Sequence, residues 1–107
     1  KGALATMAVS LMRELSGTGI TVNTVSPGLI RTDQVEAGYR KRAKKKGLPE
    51  DWPSIERMIV EKDFPNACQR IAERQEVADL VAFLCSTRAG FINGQNIRID
   101  GGAVIYV

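Results

Sequence analysis

The chain has no histidine and only two cysteines among its 107 residues. The first absence removes several chemistries from these residues at once: a Ser-His-Asp triad, imidazole acid/base catalysis and histidine-ligated zinc. The cysteines, Cys68 and Cys85, are too few for a disulfide scaffold, and they form no C-x-x-C pair with metal-ligand spacing. Both are expected to serve as small hydrophobes in a reducing compartment, the cytoplasm. No uninterrupted apolar run approaches the roughly 20 residues that a membrane span needs. A formal charge of +3 is too small to argue for a polyanionic partner. Neither nucleic acid nor membrane is therefore expected as a partner, and no metal is expected. No signal peptide is visible, and a chain that starts inside a helix could not show one.

What is present is ordinary globular material, 44% hydrophobic and 25% charged. In "KGALATMAVSLMREL", Leu4, Met7, Ala8, Leu11, Met12 and Leu15 recur at spacings of three and four, which predicts an amphipathic helix to about Ser16. Gly17 and Gly19 then supply turn chemistry. The β-branched run "ITVNTVS" reads as a buried strand of about six residues ended by Pro27-Gly28, with Asn23 as a hydrogen-bonded structural polar group inside it. From Leu29 to Cys68 the pattern is less regular. A basic stretch, "YRKRAKKKG", precedes a short helix with Ile55, Met58 and Ile59 on one side, closed by Pro65. "QEVADLVAFLCS" sets Val77, Leu80, Val81, Leu84 and Cys85 on one helical face, and "QNIRI" reads as a second strand before Gly101-Gly102. Two strands joined by a helical crossover should lie parallel. Two strands are too few to cover both faces of such a sheet, so the chain reads as one side of a larger α/β domain.

Within "VSPGLIRTD", Pro27 and Gly28 are by default a strand terminator. At the carboxyl end of a parallel strand, however, a glycine also lets backbone approach a ligand closely. Thr32 or Asp33 is positioned to cap a following helix.

These nine residues resemble the Pro-Gly-x-Ile-x-Thr segment of the short-chain dehydrogenase/reductase family, which ends the sixth strand of a Rossmann-like sheet beside the nicotinamide. "INGQNIRIDGG" is similar to that family's last strand, and "RIAERQEVADLVAFLCS" to the helix before it, with Arg74 where a proline commonly stands. Order and spacing together make the resemblance specific over nearly the whole chain, apart from an insert from about Asp33 to Asn66. The implied fold is α/β: the C-terminal portion of a Rossmann-like doubly wound parallel sheet, its last two strands with flanking helices. Residues 1–107 would then be part of a single NAD(P)-binding domain, with 33–66 as its substrate lid.

The resemblance also implies roles. Lys1 matches the lysine of the family's Tyr-x-x-x-Lys motif, with the tyrosine four residues upstream of it. Tyrosine and lysine at i and i+4 share a helix face, and the ammonium would lower the phenol's pKa so that it exchanges a proton with the substrate oxygen. Lys1 would also hold the nicotinamide ribose. Taken alone, Lys1 would read as a solvated helix lysine. By resemblance Pro27 and Gly28 line the cofactor, while the Ile30 backbone and the Thr32 hydroxyl hold the nicotinamide carboxamide; a helix-capping role for Thr32 is compatible with that. The implied cofactor is NAD or NADP, and the implied substrate a small carbonyl or secondary alcohol, acyl-carrier-linked ones included.

In the insert, Arg40, Lys41, Arg42, Lys44, Lys45 and Lys46 form the one notable charge cluster, either a solvated helix face or an attractor for an anionic substrate carrier. The apolar tail "AVIYV" is expected to pack on a neighbouring subunit, as family members form homotetramers or homodimers. The competing reading is a truncated, non-enzymatic fragment that acts only through association with other chains.

Overall fold

A computed structural model describes residues 2–104. Its elements run α1 (Gly2–Glu14), β1 (Thr24–Pro27), β2 (Ile30–Arg31), α2 (Asp33–Lys45), α3 (Trp52–Met58), β3 (Ala72–Glu73), α4 (Arg74–Leu84) and β4 (Asn96–Ile99). A π-helical turn, Ile59–Asp63, follows α3, and a 3-10 turn, Thr87–Ala89, follows α4. The residues group into two compact units, one running through Pro27 and adding Gln75–Ile99, the other comprising Gly28–Arg74 and the residues from Asp100.

In the first unit β1 and β4 pair in parallel, with Thr24 opposite Asn96 and Pro27 opposite Ile99. The parallel pairing anticipated between the two strands is found. The first strand is shorter than six residues, because side chains replace the ladder ahead of Thr24. The Asn93 carboxamide oxygen accepts from Val22 N–H at 2.9 Å, and Asn23 accepts from Gln95 N–H at 3.0 Å while donating to the Ile92 carbonyl at 3.0 Å. Asn23 is thus hydrogen-bonded as read, but just outside the strand. Gly94, at φ 71°, closes this loop where an added Cβ would stand 2.6 Å from Met12 Sδ. The face of α1 forms as its periodicity predicts, yet only Ala8 is buried, and Leu4, Met7 and Leu11 are exposed. On α4, Val81 and Phe83 are exposed and no residue is fully buried.

The second unit departs most from the sequence reading. The stretch from Leu29 to Cys68, whose sequence pattern is less regular, contains a regular 13-residue helix, α2, and one strand of an additional two-stranded parallel ladder in which Ile30 faces Ala72 and Arg31 faces Glu73. Helix α2 escapes hydrophobic periodicity because it buries only Ala43. Local bonds stabilise it instead: Thr32 caps its start, acidic Asp33 and Glu36 occupy the first turn, and Arg42, Lys44 and Lys45 occupy the last, each favourable to the helix dipole. Helix α3 starts with Asp51 as N-cap and a proline in its first turn. Its buried Trp52 and Ile55 join Ala43, Ile59 and Ile71 in the core of this unit. Ile59 is fully enclosed, at 0% exposure. The π turn closes with Phe64 N–H donating to the Ile59 carbonyl at 2.8 Å, and Pro65 forces Phe64 out of helical geometry.

Both cysteines are free and exposed, contrary to their expected burial. Cys68 is a loop residue whose N–H donates to the Gly101 carbonyl, and Cys85 follows the last turn of α4. Lys1 and Ile105, Tyr106 and Val107 of the apolar tail lie outside the described residues.

Candidate functional site

Pro27 is the last residue of β1, so the Pro-Gly turn stands at the carboxyl end of a parallel strand, where α/β sheets present ligand-binding loops. Gly28 opens the second unit. Its backbone is not in the left-handed region, and the constraint there is space. A Cβ at this position would lie 2.5 Å from Phe64 Cζ and 3.0 Å from both Cα and Cβ of Asp100. The close approach that this glycine permits is therefore one of protein on protein, made by the residue that the π turn delivers.

Ile30 and Arg31 form β2, and Thr32 continues extended at φ −85° and ψ 164°. The Thr32 hydroxyl accepts from Val35 N–H at 3.1 Å, and its carbonyl accepts from Glu36 N–H at 2.9 Å. Thr32 is thus the N-cap of α2. A hydroxyl that accepts one bond retains its own proton for donation, so the cap is compatible with a donor role toward a carboxamide oxygen. Thr32 N–H donates to the Ile30 carbonyl at 2.8 Å, which tightens the turn between strand and helix. Gly28, Ile30 and Thr32 thus lie on one half-buried, largely extended backbone segment that ends in the capping hydroxyl.

Between Ile30 and Thr32 lies an electrostatic cluster that sequence reasoning missed. Arg31 Nε donates to Glu36 Oε1 at 2.7 Å, and Arg40 donates to Glu36 Oε2 through Nη2 at 2.7 Å and Nε at 3.0 Å. These bonds, from Arg31 first and then Arg40, hold the Glu36 carboxyl down at a pKa of about 2. Glu36 in turn pushes the Arg31 guanidinium further up. The i, i+4 spacing of Glu36 and Arg40 was a legible signal; the contribution of Arg31, from a strand, was not. A second cluster joins α2 to the π turn, where the Tyr39 hydroxyl donates to Asp63 Oδ2 at 2.8 Å and Arg42 donates to the same oxygen at 3.1 Å. Burial, and then that bond, push the Tyr39 phenol up; the Tyr39 bond is the main cause that holds Asp63 below its ordinary value.

Among the described residues no group of three or more His, Cys, Asp or Glu side chains could hold a metal ion, and no helix is long and apolar enough to cross a membrane. Of the six basic residues singled out in the sequence, Arg40 and Arg42 are occupied by carboxylates, whereas Lys41, Lys44, Lys45 and Lys46 are exposed.

Comparison with known proteins places this geometry in context. Residues 1–104 match the family model described as Enoyl-(Acyl carrier protein) reductase. A tropinone reductase homolog of Arabidopsis thaliana is 37% identical over 106 residues, which are 99% of this chain and 35% of that protein. The crystal structure of a short chain dehydrogenase family protein from Francisella tularensis superposes with a TM-score of 0.75 at 41% identity, covering 96% of this chain and 40% of that one. The L-sorbose reductase of Gluconobacter frateurii, solved with NADPH and L-sorbose, gives a TM-score of 0.85 at 28% identity over 99% of this chain and 39% of that one. The chain spans about a third of the length of the curated relatives that it matches.

Proposed function

The chain belongs to the short-chain dehydrogenase/reductase family, and from that membership we propose that the intact protein is an NAD(P)-dependent oxidoreductase acting on a carbonyl or secondary alcohol. These residues would supply the carboxyl-terminal part of its nucleotide-binding domain, with 33–66 as substrate lid. The observation that carries this reading is the Thr32 hydroxyl, which caps α2 as an acceptor and so retains its own proton for donation at the end of the Pro27–Thr32 segment. The cofactor supplies the hydride. The Ile30 backbone and the Thr32 hydroxyl hold its carboxamide, Pro27 and Gly28 shape the turn beneath, and Lys1 tunes the tyrosine four positions upstream and bonds the ribose. The reaction needs no metal.

Fluorescence titration of the intact protein with NADH and NADPH, followed by a carbonyl substrate panel, tests the reading. Expected are micromolar-range binding of one nucleotide, about −8 kcal/mol, and a clear loss in Thr32→Val, which removes the hydroxyl. Binding of neither nucleotide would overturn it and favour a role through association alone.

An acyl-carrier-linked substrate is supported by one further observation. A cavity of about 260 Å³ between α2 and α3 has Leu48, Ile55 and Met58 on its lining with Lys46, Lys62, Glu61 and the Asp63-paired Arg42, and Lys41, Lys44 and Lys45 lie exposed nearby in sequence. Apolar lining beside cations suits an acyl chain that ends in a phosphate-bearing carrier. Neutralising Lys44, Lys45 and Lys46 together should raise KM for a carrier-linked substrate and leave a small analogue unaffected; equal effects would remove the idea. A cytoplasmic location and assembly into a homodimer or homotetramer complete the proposal.

A further inference from the structure

The segment proposed to hold the nicotinamide is attached to little regular structure: β2 and β3 pair over only two residues each. So short a ladder cannot by itself fix a backbone direction to the precision that ligand recognition needs. The residue between Ile30 and Thr32 does so instead. Successive side chains of an extended strand point to opposite sides, so Arg31 projects away from the side that Ile30 and Thr32 share.

On that far side Arg31 is held in three directions. Its Nε meets Glu36 Oε1 at 2.7 Å, its Nη1 meets Glu73 Oε1 at 3.4 Å, and its guanidinium carbon stands 4.4 Å from the centre of the buried Trp52 ring. Glu36 is held equally firmly. Each of its carboxylate oxygens serves a different arginine, and Arg40 is itself anchored by a 2.6 Å bond to the Glu50 carbonyl. The Arg31 and Glu36 side chains are 28% and 27% exposed, so water still reaches the pair and its hold comes from the geometry of the two short bonds. Thr32 lies between the two partners, joined covalently to Arg31 and bonded through its carbonyl to Glu36 N–H.

We propose that Arg31 and Glu36 are positioning residues that form a latch between β2 and α2. The latch sets the direction of the Thr32 hydroxyl and the Ile30 backbone and thereby the affinity for the nicotinamide half of the cofactor. The proposal rests on the oxidoreductase reading above. It ties the insert to cofactor recognition as well as to substrate: α2 contributes the carboxylate that aims the cofactor-binding segment.

The test compares two ligands on the intact protein: the reduced nicotinamide nucleotide that it binds, and the matching ADP-ribose, with its 2′-phosphate if the nucleotide is NADPH, which lacks the nicotinamide. Glu36→Gln keeps the shape of the side chain but sets an amide N–H₂ against an arginine. It should weaken the nicotinamide nucleotide about tenfold, the size of one charge-assisted hydrogen bond, while the ADP-ribose constant stays within about twofold of the parent. Arg31→Lys keeps the charge but loses the planar fork and the stacking on Trp52, and should show the same selective loss to a smaller degree. A merely structural role would shift the urea midpoint and leave the ratio of the two constants untouched. Parallel losses of both ligands, or no change in either, overturn the latch. A parent protein that binds neither ligand overturns the oxidoreductase reading itself, and the latch with it.

Discussion

Replacing Gly28 by alanine is expected to destabilise the protein by about 1–2 kcal/mol through one collision that a second substitution can relieve. The added methyl would stand 2.5 Å from Phe64 Cζ and 3.0 Å from Asp100 Cα and Cβ, whereas carbon atoms pack best at about 3.5–4.0 Å. The overlap is therefore roughly 1 Å with the end of a ring and roughly 0.5 Å with Cα and Cβ of Asp100. Forcing a methyl into such space costs about 1–3 kcal/mol. Since Gly28 is not in the left-handed region, the loss of unfolded-state freedom returns about 0.4–1 kcal/mol. Phe64→Leu removes Cζ, so in the alanine background it should cost about 1 kcal/mol less than in the parent; the contacts with Cα and Cβ of Asp100, which cannot swing away as a ring can, leave part of the penalty in place. Urea unfolding of the parent, both single variants and the double variant gives the coupling, provided that the slopes agree. Additive effects, or an alanine variant as stable as the parent, would refute the packing account of Gly28 and return it to a role defined by ligand approach.

Two further outcomes follow from the same residues. Thr32→Ala should lose about 1 kcal/mol of stability with its cap, whereas Thr32→Ser, which keeps the hydroxyl, should retain both the urea midpoint and the cofactor affinity of the parent. Glu36 has a folded-state pKa of about 2 against an ordinary value of 4.5. Its stabilisation is thus fully present above pH 4.5 and is lost as pH falls toward 2. Thermal midpoints measured across that window should fall less steeply in Glu36→Gln than in the parent, and identical slopes would show that the carboxylate is not engaged in solution. Asp51 and Asp63, also lowered, contribute to the same acid limb in both proteins.

The parts of the fold legible in the sequence are those whose periodicity extends far enough to repeat. Leu4, Ala8 and Leu11 announce α1, Val77, Leu80 and Leu84 announce α4, and the β-branched run around Val25 announces β1. The candidate segment was legible for a different reason: Pro27, Gly28, Ile30 and Thr32 fall within six consecutive residues, so one motif spells them out. Helix α2 was not legible, because it buries a single alanine and depends on a cap and ion pairs rather than on an apolar stripe. A two-residue strand such as β2 has no period to read.

By itself, then, the sequence determined the family, the order of helix and strand, and which residues end the first strand. Local chemistry suffices for each of these: backbone conformation at proline and glycine, a capping hydroxyl, and apolar spacing. Only the tertiary structure decided that Gly28 is small to receive Phe64, that the π turn after α3 delivers that ring, and that Arg31 meets Glu36 and Trp52 behind Thr32. These partners are separated by as many as 36 residues along the chain, from Gly28 to Phe64, and their meeting depends on the packing of a core around Ile59 that no local rule encodes.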